Sequence, residues 1–412
     1  MRVLFVDEEI PYPLNTGKRL RTFNLLTRLA KFHEITYVCQ GEIPRDLPLI
    51  SGVRFLTVPS HLLPQHGLRF LASLGANLLS PRPYVVNRHF SRAMQEQLKN
   101  CLARENFDLL HCEWTPYTEV LRPFLRDNPA VLATHNVEAQ IWRRLFETEV
   151  NVFRKGYIWN QWRKMHAFEK TAVQLYDCVT AVSKPDAALM HEWYGLDAVT
   201  VVPNGVDEAY FLPATGQQTQ YSMVFTGSMD WRPNQDAIRF FLEAIFPAIR
   251  RALPATTLTV VGRNPPSWLR KLANGVEGVE ITGTVDDVRS YVARADLYVV
   301  PLRIGGGSRL KILEALAMQK PVLSTSVGAE GLGLRHGEHL LLADDPREFA
   351  ESAIRMLLAP QEFATLARQG RDEVLAHHTW NAIAGLMDRV WWQAVKRCHD
   401  NDPFGEAVRK PS

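Results

Sequence analysis

Ala295-Asp296-Leu297-Tyr298-Val299-Val300-Pro301-Leu302-Arg303-Ile304-Gly305-Gly306-Gly307-Ser308-Arg309-Leu310-Lys311-Ile312-Leu313-Glu314-Ala315-Leu316-Ala317 is the stretch that decides how this chain is read. Leu297 to Val300 have the length and apolar continuity of a strand buried on both faces. A triple-glycine turn follows, and the apolar spacing beyond it predicts a helix whose first turns carry Ser308, Arg309, Lys311 and, two turns in, Glu314. Glycines let the backbone approach an anion, and a helix N-terminus offers unpaired N–H groups at the positive end of its dipole. This is the layout of a phosphate site, and the turn suits a diphosphate.

Around the helix axis, Gly307, Lys311, Glu314 and Met318 fall within about 60° of one another, with Leu310, Leu313 and Ala317 on the neighbouring apolar flank. Gly307 and Glu314 stand about 10 Å apart along the axis, which matches the span from a nucleotide's phosphates to its ribose hydroxyls. A carboxylate there can accept both hydroxyl protons. The competing reading is a surface helix after a glycine turn, with Lys311 and Glu314 as an ordinary i, i+3 ion pair.

Outward from this segment, short apolar runs alternate with helix-length stretches along the whole chain, the sign of an α/β protein with parallel sheets. In the first half the strand candidates are 3–6, 35–38, 55–58, 109–112, 131–134 and 179–182; in the second they are 223–226, 258–261, 279–281, 297–301 and 322–324. Two similar doubly wound units follow. The expected boundary lies between Val202 and Gly216, where Pro203, Asn204, Gly205, Pro213 and Gly216 break the pattern. The division is residues 1–202, 203–385 and a C-terminal helix and tail, 386–412. In doubly wound sheets ligands bind beyond the carboxyl ends of the strands, so a cleft between the halves is expected.

The chain has 412 residues, 46% hydrophobic and 22% charged, enough for two domains with their own cores. A net charge of +3, from 47 basic and 44 acidic residues, gives no bulk field that would draw nucleic acid. The five cysteines form an odd set without a C-x-x-C pair, which suits a reducing cytosol and argues against a zinc site. Asp7, Glu8 and Glu9 interrupt the first apolar run too soon for a signal-peptide core, and no stretch reaches the ~18 apolar residues of a membrane span. A cytoplasmic protein is expected.

Residues 11–21, Pro-Tyr-Pro-Leu-Asn-Thr-Gly-Lys-Arg-Leu-Arg, open the first helix and offer Gly17 and Lys18 to the phosphates of a ligand. The spacing is neither G-x-G-x-x-G nor a Walker loop, because Tyr12 stands where the first glycine of the latter belongs. A plain strand-to-helix loop is the alternative. In the second half, the backbone of Gly227 and Ser228 and the cation of Arg232 are candidates for the same phosphates. Asp286-Asp287 resembles a metal-binding pair but reads as helix N-capping, so no metal is expected. From Ile141 to Lys170 aromatic and basic residues mix, which suits either an anionic membrane surface or a helix packed on its own sheet. Gly67 to Leu79 is a second apolar segment, read as core packing.

The 305–317 segment, followed by Lys320-Pro321-Val322-Leu323-Ser324-Thr325 and Gly328-Ala329-Glu330-Gly331-Leu332, resembles the donor-site segment of family-4 glycosyltransferases of GT-B fold. The likeness includes Thr134-His135-Asn136-Val137-Glu138, Ala181-Val182-Ser183-Lys184, Val202-Pro203-Asn204-Gly205-Val206-Asp207 and Thr226-Gly227-Ser228-Met229-Asp230-Trp231-Arg232-Pro233-Asn234, in the family's order, over most of residues 1–385. One departure is clear: of the family's two glutamates seven residues apart, the second matches Glu314 but the first falls on Gly306.

The resemblance implies two Rossmann-like domains facing each other across a cleft, with a C-terminal helix crossing back to the first. It implies transfer of a hexosyl group from a nucleotide-diphosphate sugar to a hydroxyl of a glycan or lipid-linked acceptor, with retention and without a metal. No further cofactor is implied. His135 takes the place of the family's histidine that donates to the transferred sugar, Lys311 and Arg309 hold the leaving diphosphate, and Glu314 holds the ribose. Gly306, Gly307 and Ser308 line the phosphates, and Arg263 and Val285 stand where the family holds the base. The bacterial setting would be exopolysaccharide or lipid-linked glycan assembly, at the inner face of the cell membrane if the protein docks there. The rivals are a nucleotide-sugar epimerase of the same fold and a non-catalytic nucleotide-sugar-binding scaffold.

Overall fold

The computed structural model describes residues 1–60, 62, 67–213, 219–304 and 309–400. The chain forms two compact units, one made of Met1–Pro203 and Ala384–Ser412, the other of Asn204–Ile383. The division falls at the Pro203-Asn204-Gly205 interruption. The last helix, Trp380–Asp400, begins in the second unit and ends in the first.

The first unit is built on seven strands: β1 (Arg2–Val6), β2 (Glu34–Gln40), β3 (Val53–Val58), β4 (Leu109–Cys112), β5 (Ala130–Ala133), β6 (Cys178–Ala181) and β7 (Val199–Val201). They pair in parallel in the order β3-β2-β1-β4-β5-β6-β7. The second unit has six: β8 (Ser222–Thr226), β9 (Thr257–Val261), β10 (Val279–Gly283), β11 (Leu297–Val300), β12 (Val322–Ser324) and β13 (Leu341–Leu342). These run in parallel in the order β10-β9-β8-β11-β12-β13. The edge strands β7 and β13 were not expected from the sequence, being three and two residues long, too short to show a period.

The central strands read as continuous apolar runs because helices cover both sheet faces. Along β1, Leu4 and Val6 join Leu110 and Leu132 in one core, while Phe5 stacks between the rings of Tyr37 and His111, with centroids 5.0 and 4.1 Å away. In the second unit Phe225, Phe241, Phe246 and Tyr298 anchor a single core.

Strand order reverses between β1 and β4 and again between β8 and β11. At such a switch the connections leave toward opposite faces and open a crevice at the strands' carboxyl ends. The crevice in the second unit depends on a close backbone approach: a Cβ on Gly262, after β9, would sit 1.9 Å from the carbonyl oxygen of Gly227, after β8. Only glycine fits there.

The surface of the first unit departs from expectation. The Gly67–Leu78 helix does not pack into the core: Leu68 and Leu79 are 85% and 92% exposed, and Leu71 and Leu78 are also open to solvent. The basic–aromatic stretch forms two helices, Glu138–Thr148 and Val152–Ala172, with Val150, Val152 and Phe153 exposed around their junction.

Candidate active site

In the second unit the expected helix forms, but its described part runs Leu310–Ala317. Arg309 precedes it in a left-handed conformation, with φ 50°. Its side chain is buried and donates to Glu330 at 3.3 Å, so it leaves the backbone at an angle that a first-turn helical residue would not have. Gly306, Gly307 and Ser308 lie outside the described residues.

Lys311 does not pair with Glu314. Its Nζ donates to Asn234 Oδ1 at 2.8 Å and lies 4.0 Å from the centroid of the Phe225 ring. Asn234, on the first turn of the Arg232–Phe240 helix, donates in turn to the Ser228 carbonyl at 2.8 Å. Gly227 makes room for this clamp: a Cβ there would lie 2.6 Å from Lys311 Nζ and 2.8 Å from Asn234 Nδ2. Burial pulls Lys311 down to about 7, with Glu314 opposing and Arg309 adding to the shift. Burial pushes Glu314 up to about 7 against the pull of Lys311. A lysine and a carboxyl on one helix face, both desolvated and not in contact, are groups whose charges an incoming anion and its hydroxyls would satisfy.

Around this face, Arg263 Nε donates to Ser228 Oγ at 2.8 Å, Ser228 donates to Asp230 at 2.6 Å, and Met229 N–H donates to the Arg263 carbonyl at 2.8 Å. Gly227, Ser228, Arg263, Asn234, Lys311 and Glu314 thus share the carboxyl end of the β8/β11 switch. Arg232 is exposed at the start of its helix, and Val285 is half-buried after β10. Asp287 accepts from the Arg289 backbone N–H at 2.9 Å and pairs with its guanidinium, which lies 3.6 Å from the Tyr210 ring centroid.

In the first unit, Gly17 opens the Gly17–Leu29 helix, capped by Thr16. Lys18 is held by carboxylates: its Nζ is 2.7 Å from Asp7 Oδ1 and 3.1 Å from Glu8 Oε2. Although burial opposes its charge, the two acids keep Lys18 protonated well above the usual range. Its charge is matched inside the unit, so it is not the open phosphate cation expected from the sequence.

His135 follows β5 and keeps 14% of its side chain exposed. Its Nε2 lies 3.2 Å from Oε1 of Glu113, which follows β4 and is fully buried. Glu113 also accepts from His111 Nε2 at 2.7 Å and Thr22 Oγ1 at 3.1 Å. Burial alone would raise Glu113, but the two histidines hold it well below the usual carboxylate range. The helix after His135 is capped from outside: the Glu169 carboxylate accepts the N–H groups of Glu138 and Ala139 at 3.0 and 2.8 Å and the Tyr194 hydroxyl at 2.7 Å. Glu138 itself accepts from Trp114 Nε1 at 2.9 Å.

Residues 19–210 match the family described as Glycosyltransferase Family 4, and residues 220–359 match Glycosyl transferases group 1. The chain belongs to the family-4 glycosyltransferases. This transferase is 28% identical over 327 residues to the phosphatidyl-myo-inositol mannosyltransferase of Mycobacterium leprae, covering 76% of this chain and 81% of that one. It is 22% identical over 362 residues to an uncharacterized 44.6 kDa protein in the cps region of Klebsiella pneumoniae, covering 86% and 90%. Its fold is that of sucrose-phosphate synthase from Thermosynechococcus elongatus, with TM-score 0.69, 18% identity and coverage of 95% and 98%. Anabaena HepE, solved with UDP and glucose, matches with TM-score 0.64, 14% identity and coverage of 94% and 98%. The fold is therefore GT-B, two Rossmann-like domains.

The sequence does not point to Asp7, Glu113, Asn234 or Glu330, which contact the candidate residues Lys18, His135, Lys311 and Arg309 of the glycosyltransferase. Asp7 and Glu113 carry one signal in common: each is an acid directly after an apolar strand, at the strands that flank the switch point.

Proposed function

We propose that this glycosyltransferase moves a hexosyl group from a nucleotide-diphosphate sugar to a hydroxyl of a glycan or lipid-linked acceptor, binding the donor in the second unit and the acceptor in the first. One observation carries the reading: Lys311 and Glu314, both desolvated, stand on one helix face at the carboxyl end of the β8/β11 switch and are not paired with each other. A diphosphate arriving at Lys311 would raise its proton affinity and draw it to the charged form. Lys311, Arg309 and the helix N-terminus would then stabilise the charge that grows on the leaving diphosphate, the role a metal plays elsewhere. Glu314 accepts the ribose hydroxyls, Arg263 and Val285 border the base, and His135 faces the transferred sugar. Solved neighbours hold UDP and glucose, which supports a nucleotide-sugar donor. Retention of configuration and independence from metal ions are part of the proposal.

The acceptor side supports a place at a membrane surface. Exposed Leu68, Leu71, Leu78, Leu79, Val150 and Phe153 are accompanied by Arg69, Arg143, Arg144, Arg154 and Arg163. Lys164 ties the two segments together by donating to the Asn77 carbonyl at 2.7 Å. Apolar side chains among cations are the composition of an anionic-lipid contact. Among the described residues no helix is long and apolar enough to cross a membrane, so the contact would be peripheral.

The test is nucleotide release from a panel of UDP-, GDP- and ADP-sugars, with and without extracted lipid-linked glycans, in the presence of EDTA. Acceptor-dependent release, with a product whose anomeric configuration matches the donor's, is expected. Donor isomerisation without acceptor would establish the epimerase reading instead. No turnover with any pair, despite nucleotide binding, would leave the scaffold.

A further inference from the structure

A buried chain of hydrogen bonds runs from the last helix of the protein to Glu113, whose carboxylate faces His135. Trp391, fully buried on the Trp380–Asp400 helix, directs its indole N–H at His111 Nδ1, 3.0 Å away. An indole nitrogen only donates, so His111 Nδ1 carries no proton. His111 is therefore neutral, with its proton on Nε2, and gives it to Glu113 Oε2 at 2.7 Å. The stacking of His111 on Phe5, 4.1 Å between centroids, holds the ring in that orientation. Thr22 adds its hydroxyl to Glu113 Oε1 at 3.1 Å. Glu113, ionised and fully buried, has acceptors only, and the last nitrogen facing it is His135 Nε2 at 3.2 Å. That nitrogen is buried and has no aligned hydrogen-bond partner among the described residues; beside a carboxylate that only accepts, a small turn of the ring satisfies it as a donor.

We propose that Glu113 is the positioning residue of His135: it fixes the Nε2–H tautomer and reserves Nδ1, a lone pair in the neutral ring, as an acceptor for a hydroxyl of the sugar or of the acceptor. His111 and Trp391 orient Glu113 in turn. The inference rests on His135 facing the sugar, and it reverses the polarity that the resemblance implies: the imidazole accepts a hydroxyl hydrogen there instead of donating one.

The test reads the tautomer directly. In histidine-15N-labelled protein at pH 8, two-bond 1H–15N spectra, assigned with His135→Gln, are expected to show His135 with its proton on Nε2. Glu113→Gln, an amide that both donates and accepts, is expected to shift His135 toward the Nδ1–H or a mixed form and to lower kcat at least 10-fold with donor KM within about 3-fold. Trp391→Phe, which removes only the indole N–H, is expected to shift the His111 signals and produce a smaller fall in kcat. A wild-type His135 protonated on Nδ1, or a tautomer unchanged in Glu113→Gln, overturns the proposal. A tautomer that changes while kcat does not would leave Glu113 in place but refute the sugar-facing reading of His135.

Discussion

Lys18 and Lys311 occupy similar local settings and differ in what surrounds them. Each lies within the first two residues of a helix that follows a strand at the switch point of a parallel sheet. Lys18 meets two carboxylates, Asp7 and Glu8, within 3.1 Å and keeps its charge. The hydrogen-bond partner of Lys311 among the described residues is a neutral amide, and burial pulls the lysine down to about 7. Strand, turn, helix and lysine therefore do not by themselves make an anion site. The difference lies in whether the fold has already matched the cation with acids from neighbouring strands.

The contrast is tested most sharply at Lys18. Lys18→Met leaves the buried Asp7 carboxylate unpaired and is expected to cost about 4 kcal/mol of stability, read from the urea midpoint. A cost under about 1 kcal/mol would mean that the ion pair contributes nothing. Lys311→Met should behave oppositely. Nucleotide affinity should fall by about 3 kcal/mol, the scale of a charge-assisted contact, while the unliganded protein at pH 7 unfolds no earlier than wild type. A large loss of stability without nucleotide would make Lys311 a structural residue like Lys18.

Glu314 gives the third comparison through pH. Its folded value is raised to about 7 from 4.5, so the folded state holds a proton that the unfolded chain has lost between those values. The cost of ionising it in place is full above about pH 7 and disappears below about 4.5. Glu314→Gln should therefore raise stability at pH 8 by about 2 kcal/mol, show no gain at pH 4.5, and weaken nucleotide binding. Thermal unfolding at the two pH values checks it; an equal change at both would remove ionisation as the cause. Asn234→Ala, which releases Lys311 from the Ser228 turn, should cost about 1 kcal/mol of nucleotide affinity, and isothermal titration would detect it.

The arrangement of the candidate second-unit site is partly legible in the sequence because its described parts are local. Lys311 and Glu314 share one helix, and their spacing alone puts them on one face. The fold was legible for the same reason, since buried parallel strands read as apolar runs, while β7 and β13 were too short to register. Of the candidate first-unit site only His135 is legible, because the groups around it are not its neighbours in sequence. Glu113 meets His135 only through the pairing of β4 with β5, and Trp391 reaches His111 across 280 residues. The pairing of Lys18 is not legible because it depends on Asp7, separated from it in the chain and beside it in space. Asn234 and Gly227 are visible in the sequence, but the close approach that makes them a clamp is not. Leu68 and Leu79 are exposed where the sequence predicts core, because an apolar run carries no mark of which side it faces.

The measurement closest to the central claim is a thermal-shift panel of UDP, GDP, ADP and CMP, each with and without its sugar, on wild type and Lys311→Met at pH 7. One nucleotide at ~100 times its Kd should stabilise the wild type by about 2.7 kcal/mol, and the same concentration should leave Lys311→Met nearly unshifted. Equal shifts in both proteins would place the diphosphate away from Lys311 and contradict the account.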